Sequence, residues 1–304
     1  MKKDIYQEVT DKIVADLEQG ELTWLKPWSA GNMDGRIVKP LRHNGQPYNG
    51  INVLMLWSAA VEGGFLSPYW MTFKQAKQLG AHVKKGERSN PVVYASTITK
   101  TEEQENGEEA ERKIPFMKGY SVFNVEQIEG LPEHYYAKPS AVIDPAQRIG
   151  HADEFFAATT ADIRHGGSKA YYSNGSDHVQ IPDFQAFRDP ESYYATLAHE
   201  MTHWTKHKSR LDREFGRKKW GDEGYAREEL VAELGAAFLC ADLCLIPEPG
   251  SDHAAYIQSW LKVLKNDKRA IFSAAAHAQR AADYLQSLQP LAESEIKSAE
   301  GVAA

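Results

Sequence analysis

The pentapeptide His199-Glu200-Met201-Thr202-His203 constrains this chain more than any other segment. Histidines four apart project from one helix face, about one turn from each other. That spacing lets both imidazoles reach a single Zn²⁺ at about 2.0–2.1 Å. Glu200 stands beside them, where it can take a proton from a water on the metal. The flanking sequence supplies the helix. Asp189 can cap it with Pro190 at its first position, and Tyr194, Leu197, Met201 and Trp204 form its apolar stripe. His199 and His203 each lie two residues from Met201, about 200° round the helix. They therefore face away from the core that the stripe covers.

A metal site of this kind needs a third protein ligand. His207 lies eight residues from His199, about 12 Å further along a continuing helix, too far to share the ion. A third histidine ten residues on is absent, because that position is Ser209. The segment Glu228-Glu229-Leu230-Val231-Ala232-Glu233 is the best source, since its continuation LGAAFLC is apolar on every side and predicts a buried helix. Carboxylates on a buried helix are costly unless paired or bound to metal. Glu229 and Glu233 share a face at the head of this helix. Glu229 is assigned as ligand and Glu233 as the outer partner of a ligating histidine; the swapped assignment stays open. The order resembles that of the gluzincin peptidases, in which a glutamate ligand precedes an acidic supporting residue by four positions. Gly235, Ala236 and Ala237 would let the two helices approach closely. Zn²⁺ is the expected ion, and Mn²⁺ or Co²⁺ also suit the ligand set. Cys240 and Cys244 share a face of the same apolar helix and read as small core residues.

The remaining chain reads as two units. A stretch with Pro132, Pro139 and Pro145 shows no period and predicts a linker over 131–150. It separates a domain over 1–130 from one over 151–290, with a polar tail over 291–304. The first unit opens with a helix carrying Ile5, Val9, Ile13 and Leu17 and closed by Gly20. A second helix starts after Gly50, and β-type runs cover 90–97 and 118–127 around an acidic hairpin loop at 101–111. The second unit is mostly helical, with a hairpin over 168–182 turning at Asn174-Gly175. The fold class is thus α+β in two domains, the second helical with a small sheet.

At 304 residues the chain is long enough for two cores, and two cysteines exclude a disulfide framework. No apolar run approaches the ~20 residues of a membrane helix, so no membrane partner is expected. The charged N-terminus, without a signal-type apolar stretch, predicts a cytoplasmic protein. The net charge of −7 argues against a broadly basic nucleic-acid coat. It conceals a basic surplus in the first 130 residues, offset by the acidic run at 101–111. Single-strand binders combine basic grooves with aromatic platforms. The first unit holds such material in Trp24, Lys26, Trp28, Arg42, Tyr48, Trp70, Lys74, Lys84 and Lys85, taken together as a candidate DNA-binding region.

Five segments together resemble one family: WLKPW (24–28), GQPYNGIN (45–52), YWMTFKQAKQLGAHVKKGE (69–87), YYATLAHEMTHWT (193–205) and EELVAELGAAFL (228–239). The chain resembles the ArdC antirestriction proteins of conjugative plasmids along essentially its whole length. The resemblance implies an N-terminal single-stranded DNA-binding domain, related to one in plasmid TraC primases. It also implies a C-terminal zincin-like metallopeptidase domain, and a role in protecting incoming plasmid DNA from host restriction. It further implies metal ligation by His199, His203 and Glu229, with Glu200 as general base. Two other readings stay open from the residues themselves. One is a cytoplasmic zinc metallopeptidase whose first domain recognises a protein substrate. The other is a DNA-binding protein with a purely structural metal.

Overall fold

The computed structural model describes residues 4–25, 38–103, 109–136, 145–216, 222–247 and 253–290. Among these, two compact units form. One gathers the residues up to Val9 with those from Lys39 to Tyr136; the other gathers Thr10–Leu25 with everything from Pro145 onward. The division differs from the expected cut at 130, because the chain enters the second unit early and then returns to the first.

Helix α1 (Ile5–Glu18) presents Val9, Ile13 and Leu17 as buried residues, as their four-residue spacing requires, and Gly20 follows it at φ 77°. Then come β1 (Leu41–Arg42), α2 (Ile51–Gly63), β2 (Tyr69–Met71), α3 (Phe73–Gln78), β3 (His82–Val83), β4 (Asn90–Glu103), β5 (Glu109–Asn124) and β6 (Ile128–Glu129). Four strands form a sheet in the order β1-β2-β5-β4, with β1 parallel to β2 and the other pairs antiparallel. Strands β3 and β6 pair separately. Thr72 and Gln75 form a reciprocal capping box that starts α3. Asn52 on α2 donates to the carbonyl of Val93 and accepts from its N–H, both at 2.8 Å, so the helix satisfies the edge of β4.

Two expectations for this unit are corrected. The acidic segment was expected as a loop over 101–111, but β4 runs to Glu103 and β5 begins at Glu109; the tip between them lies outside the described residues. The expected linker over 131–150 is structured at both of its described ends, and residues 137–144 lie outside the described residues. Leu131 and Tyr135 are buried with Met71, Ala76, Val125 and Ile128 in a single core, and a new helix begins at Pro145. Pro132 precedes a short turn and Pro145 opens a helix.

The second unit contains α4 (Pro145–Ala158), the strands β7 (Asp162–His165), β8 (Tyr171–Ser173) and β9 (His178–Ile181), and helices α5 (Pro190–Trp204), α6 (Glu223–Asp242), α7 (His253–Asn266) and α8 (Ala270–Ser287). The sheet order is β7-β9-β8: β8 and β9 form the expected hairpin, and β7 runs parallel to β9. Asp189 caps α5, accepting from Ser192 N–H at 2.8 Å, with Pro190 in the first turn. The helix ends at Trp204, so His207 lies in the irregular segment beyond it rather than on a continuing helix. There it sits 2.7 Å from Ser209 Oγ. Cys240 and Cys244 are free thiols, the first fully buried. The expected tail over 291–304 lies outside the described residues.

Helix α6 is buried almost throughout, and it packs on α5 and α8. It approaches α5 closely at Gly235, where an added Cβ would fall 2.5–2.6 Å from the side chain of Thr202. Thr202 has no room to yield: it is fully buried, and its hydroxyl donates to Ala198 C=O at 2.8 Å. Gly235→Ala should therefore destabilise the protein by about 1–3 kcal/mol through overpacking. That exceeds the gain of up to ~1 kcal/mol that alanine brings to a helix interior. A lowered urea midpoint is the expected result, and a raised one would refute the close contact.

Candidate metal centre

The last turn of α5 and the first half of α6 meet around His199 and His203. The two rings are edge to face, with centroids 4.9 Å apart. Glu229 Oε2 lies 3.6 Å from His199 Nε2, and Glu229 Oε1 lies 3.5 Å from His203 Nε2. One ligand atom each from His199, His203 and Glu229 falls within 4.8 Å of the others. These three form a convergent set of two imidazoles and one carboxylate, which suits borderline Zn²⁺ and, through the carboxylate, a harder ion such as Mn²⁺. Glu200 is buried next to His199 on the same helix.

The outward nitrogens are also engaged. His203 Nδ1 bonds Glu228 Oε1 at 2.9 Å, and His199 Nδ1 lies 3.4 Å from Glu233 Oε1. Each imidazole thus has a carboxylate behind it, which fixes the tautomer that leaves Nε2 for the metal. Glu228 is in turn held by Arg213. The guanidinium donates through Nε to Oε2 at 2.8 Å and through Nη2 to Oε1 at 2.9 Å, and its remaining donors reach Thr205 Oγ1 and Thr202 C=O.

The electrostatics follow from this crowding. Burial opposes charge on His199, but the bond to Glu229 and the charges of Glu233 and Glu200 outweigh it and lift its pKa to about 10. His203 is raised for the same reasons, chiefly by Glu229 and Glu228 against burial. Burial pushes Glu228 up, yet Arg213 and His203 hold it down at about 2. Glu229 is likewise held below the usual carboxylate range despite its burial. Glu233 is different: burial dominates and raises it to about 7, with His199 only partly offsetting. Trp24 Nε1 is buried near this carboxyl without reaching hydrogen-bond geometry. On the far side of the site, Tyr225 Oη lies 2.9 Å from Tyr256 Oη and close to Glu229.

Glu228, Arg213 and Tyr225 were not found from sequence. Glu228 adjoins Glu229 but points elsewhere, and Arg213 comes from an irregular segment with no periodic signal.

Three of the candidate DNA-binding residues are enclosed in cores. Trp24 is fully buried in the second unit, edge to face with Trp260 at 5.7 Å. Trp70 is buried against Phe65, and Tyr48 is buried with Arg42 5.5 Å above its ring. A base cannot stack on a ring already enclosed in a core, so these three are corrected to structural residues. Arg42, Lys74, Lys84 and Lys85 are exposed, and Lys84 Nζ donates to Glu126 C=O at 2.8 Å. Lys26 and Trp28 lie outside the described residues.

Buried Arg213 should be indispensable to this centre. Arg213→Ala would strip the guanidinium from buried Glu228, leaving it to His203 and, at 3.8 Å, Lys206 Nζ, at a cost of up to about 3–5 kcal/mol. Denaturant unfolding of the variant measures that loss; a cost below about 1 kcal/mol would show that Arg213 does not carry the pair.

Two family models match the chain: the N-terminal domain of the anti-restriction factor ArdC over residues 3–123, and a zincin-like metallopeptidase over 150–277. The y4eC protein of Sinorhizobium fredii is 41% identical over 292 residues, covering 94% of this chain and 92% of that protein. The DNA primase TraC of Escherichia coli is 37% identical over 302 residues, but the match spans only 27% of the primase. The crystal structure of the antirestriction protein ArdC from plasmid R388 is 51% identical in its metal-free form. It has a TM-score of 0.78 and covers 94% of this chain and 98% of that one. The Mn(II)-bound form gives 49% and 0.77.

Proposed function

The chain belongs to the ArdC antirestriction family, and from that premise we propose that it protects incoming plasmid DNA from restriction in the recipient cytoplasm. In this reading the first unit binds single-stranded DNA, and the second is a metal-dependent peptidase. The observation that carries the peptidase half is the convergence of His199, His203 and Glu229, each imidazole backed by a carboxylate. The Mn(II) found in the plasmid R388 protein supports a divalent ion here, with Zn²⁺ the ion this donor set favours.

His199, His203 and Glu229 would hold the ion. When bound, it supplies Lewis-acid polarisation of a peptide carbonyl and acidifies a water. Glu200 accepts that proton as the water attacks and returns it to the leaving amine. Glu233 and Glu228 keep the two imidazoles in place throughout. Strand β8 stands at the edge of its sheet, where an extended substrate can add.

Two arms test this. Glu200→Ala should keep its metal by elemental analysis while cleavage of denatured casein falls about 100-fold or more. A variant that cleaves at the parent rate removes Glu200 from the reaction. The unaltered protein should bind single strands more tightly than duplex of the same sequence, with affinity falling as salt rises. Equal or absent binding would remove the DNA half. Restriction assays during plasmid transfer with Glu200→Ala then tell whether peptide cleavage is needed for protection.

A further inference from the structure

The β4–β5 hairpin stays paired from Asn90↔Val122 out to Glu103↔Glu109. Among its described side chains, Val92, Val93 and Val122 are buried, all at its base. Residues opposed across an antiparallel pair share a side, and successive residues alternate. One side therefore carries Tyr94, Ser96 and Ile98 from β4 and Ile114, Phe116, Lys118 and Tyr120 from β5. Ile98 is 56% exposed, Tyr94 54%, Tyr120 47% and Ile114 39%, four of the ten exposed large apolar side chains among the described residues. Such a concentration on one face marks a binding surface.

The face has internal order. Tyr94 and Phe116 are in ring contact at 6.2 Å, and Lys118 Nζ lies 5.5 Å from the centre of the Phe116 ring. Lys118 is paired across the strands with Tyr94 and stands between Phe116 and Tyr120 along β5. Among the described side chains of this side there is one lysine and no carboxylate. The acidic Glu111 lies on the opposite side of the strand.

We propose that this side of the hairpin is the platform on which single-stranded DNA stacks, its bases on Tyr94, Phe116 and Tyr120 and a phosphate on Lys118. The proposal rests on the DNA-binding reading above and gives it a location. Phe116 and Tyr120 lie four residues apart on β5, about 13.6 Å, with Lys118 between them, so each ring can take a base on its own face while the cation meets the phosphate that links them. A duplex has no free base faces to offer and would use only the cation. An acidic peptide would likewise leave the rings uncovered. Exposed aromatic rings around a cation match a single strand, which presents bases and phosphates in alternation.

Fluorescence anisotropy of labelled oligothymidylate with the full-length, metal-loaded protein tests the assignment. Tyr94→Ala with Tyr120→Ala should weaken binding roughly tenfold or more, and Tyr94→Trp should restore much of it. Lys118→Ala should reduce the slope of log affinity against log salt by about 0.7. All are surface changes, so metal content and the unfolding midpoint should match the parent. If the parent binds the single strand and the double variant binds within about twofold of it, the platform lies elsewhere and the DNA reading survives. If the parent binds no single strand at all, the DNA reading falls and takes the platform with it.

Discussion

Arg213 and Glu228 form the buried ion pair on which the metal centre depends. The guanidinium is almost wholly enclosed and spends its donors on both Glu228 oxygens, Thr205 Oγ1 and Thr202 C=O. It thereby ties the segment after α5 to the end of α5 and to α6 at once. Burying two such charges brings little net stability, because desolvation cancels much of their attraction. Its value here is geometric. With Arg213 in place Glu228 stays ionised and accepts from His203 Nδ1, so Nε2 is left facing Glu229. Gly235 against Thr202 sets the helix separation at which those bonds can all be made.

Three glutamates on α6 then take different parts because of how they are spaced. Glu229 and Glu233, one turn apart, share a face; Glu228 is rotated about 100° from Glu229. The histidines are likewise one turn apart on α5, so each carboxylate finds a different nitrogen. Glu229 meets both Nε2 atoms and is held ionised by two imidazoles. Glu233 faces His199 Nδ1, and burial raises its pKa to about 7. A ligand must be an anion pointing at the same place as both Nε2 atoms, and of the two residues Glu229 has that geometry.

The local parts of this arrangement were legible in the sequence. The cap at Asp189, the paired histidines and the apolar run that buries α6 are all short-range patterns, and they predict two packed helices bearing the donors. Arg213 leaves no such mark, because its pairing is long-range and its own backbone is irregular. The aromatic residues misled for a related reason. Composition counts rings but does not say which side of a strand they occupy. Trp24, Trp70 and Tyr48 have the residue types of a stacking platform, yet each is enclosed, whereas Tyr94 and Tyr120 became visible as a face only through the β4–β5 register. A shift of that register by one residue would place different side chains across from them.

The early segment of the chain has the same lesson in another form. Residues that precede the first sheet belong to the second unit: Thr10 Oγ1 donates to Lys268 C=O at 2.8 Å, and Trp24 fills a core with Trp260. Trp260 itself donates to Ala226 C=O in the first turn of α6 and stacks on Tyr256, whose hydroxyl meets Tyr225 beside Glu229. A continuous aromatic wall thus runs from Trp24, near Glu233, to Tyr225, near Glu229. The N-terminal segment therefore completes the enclosure of α6 from outside the region that sequence assigns to the metal domain. Cutting the chain at the apparent boundary near residue 130 would remove part of that wall, so the metal unit defined by sequence order is smaller than the one that folds.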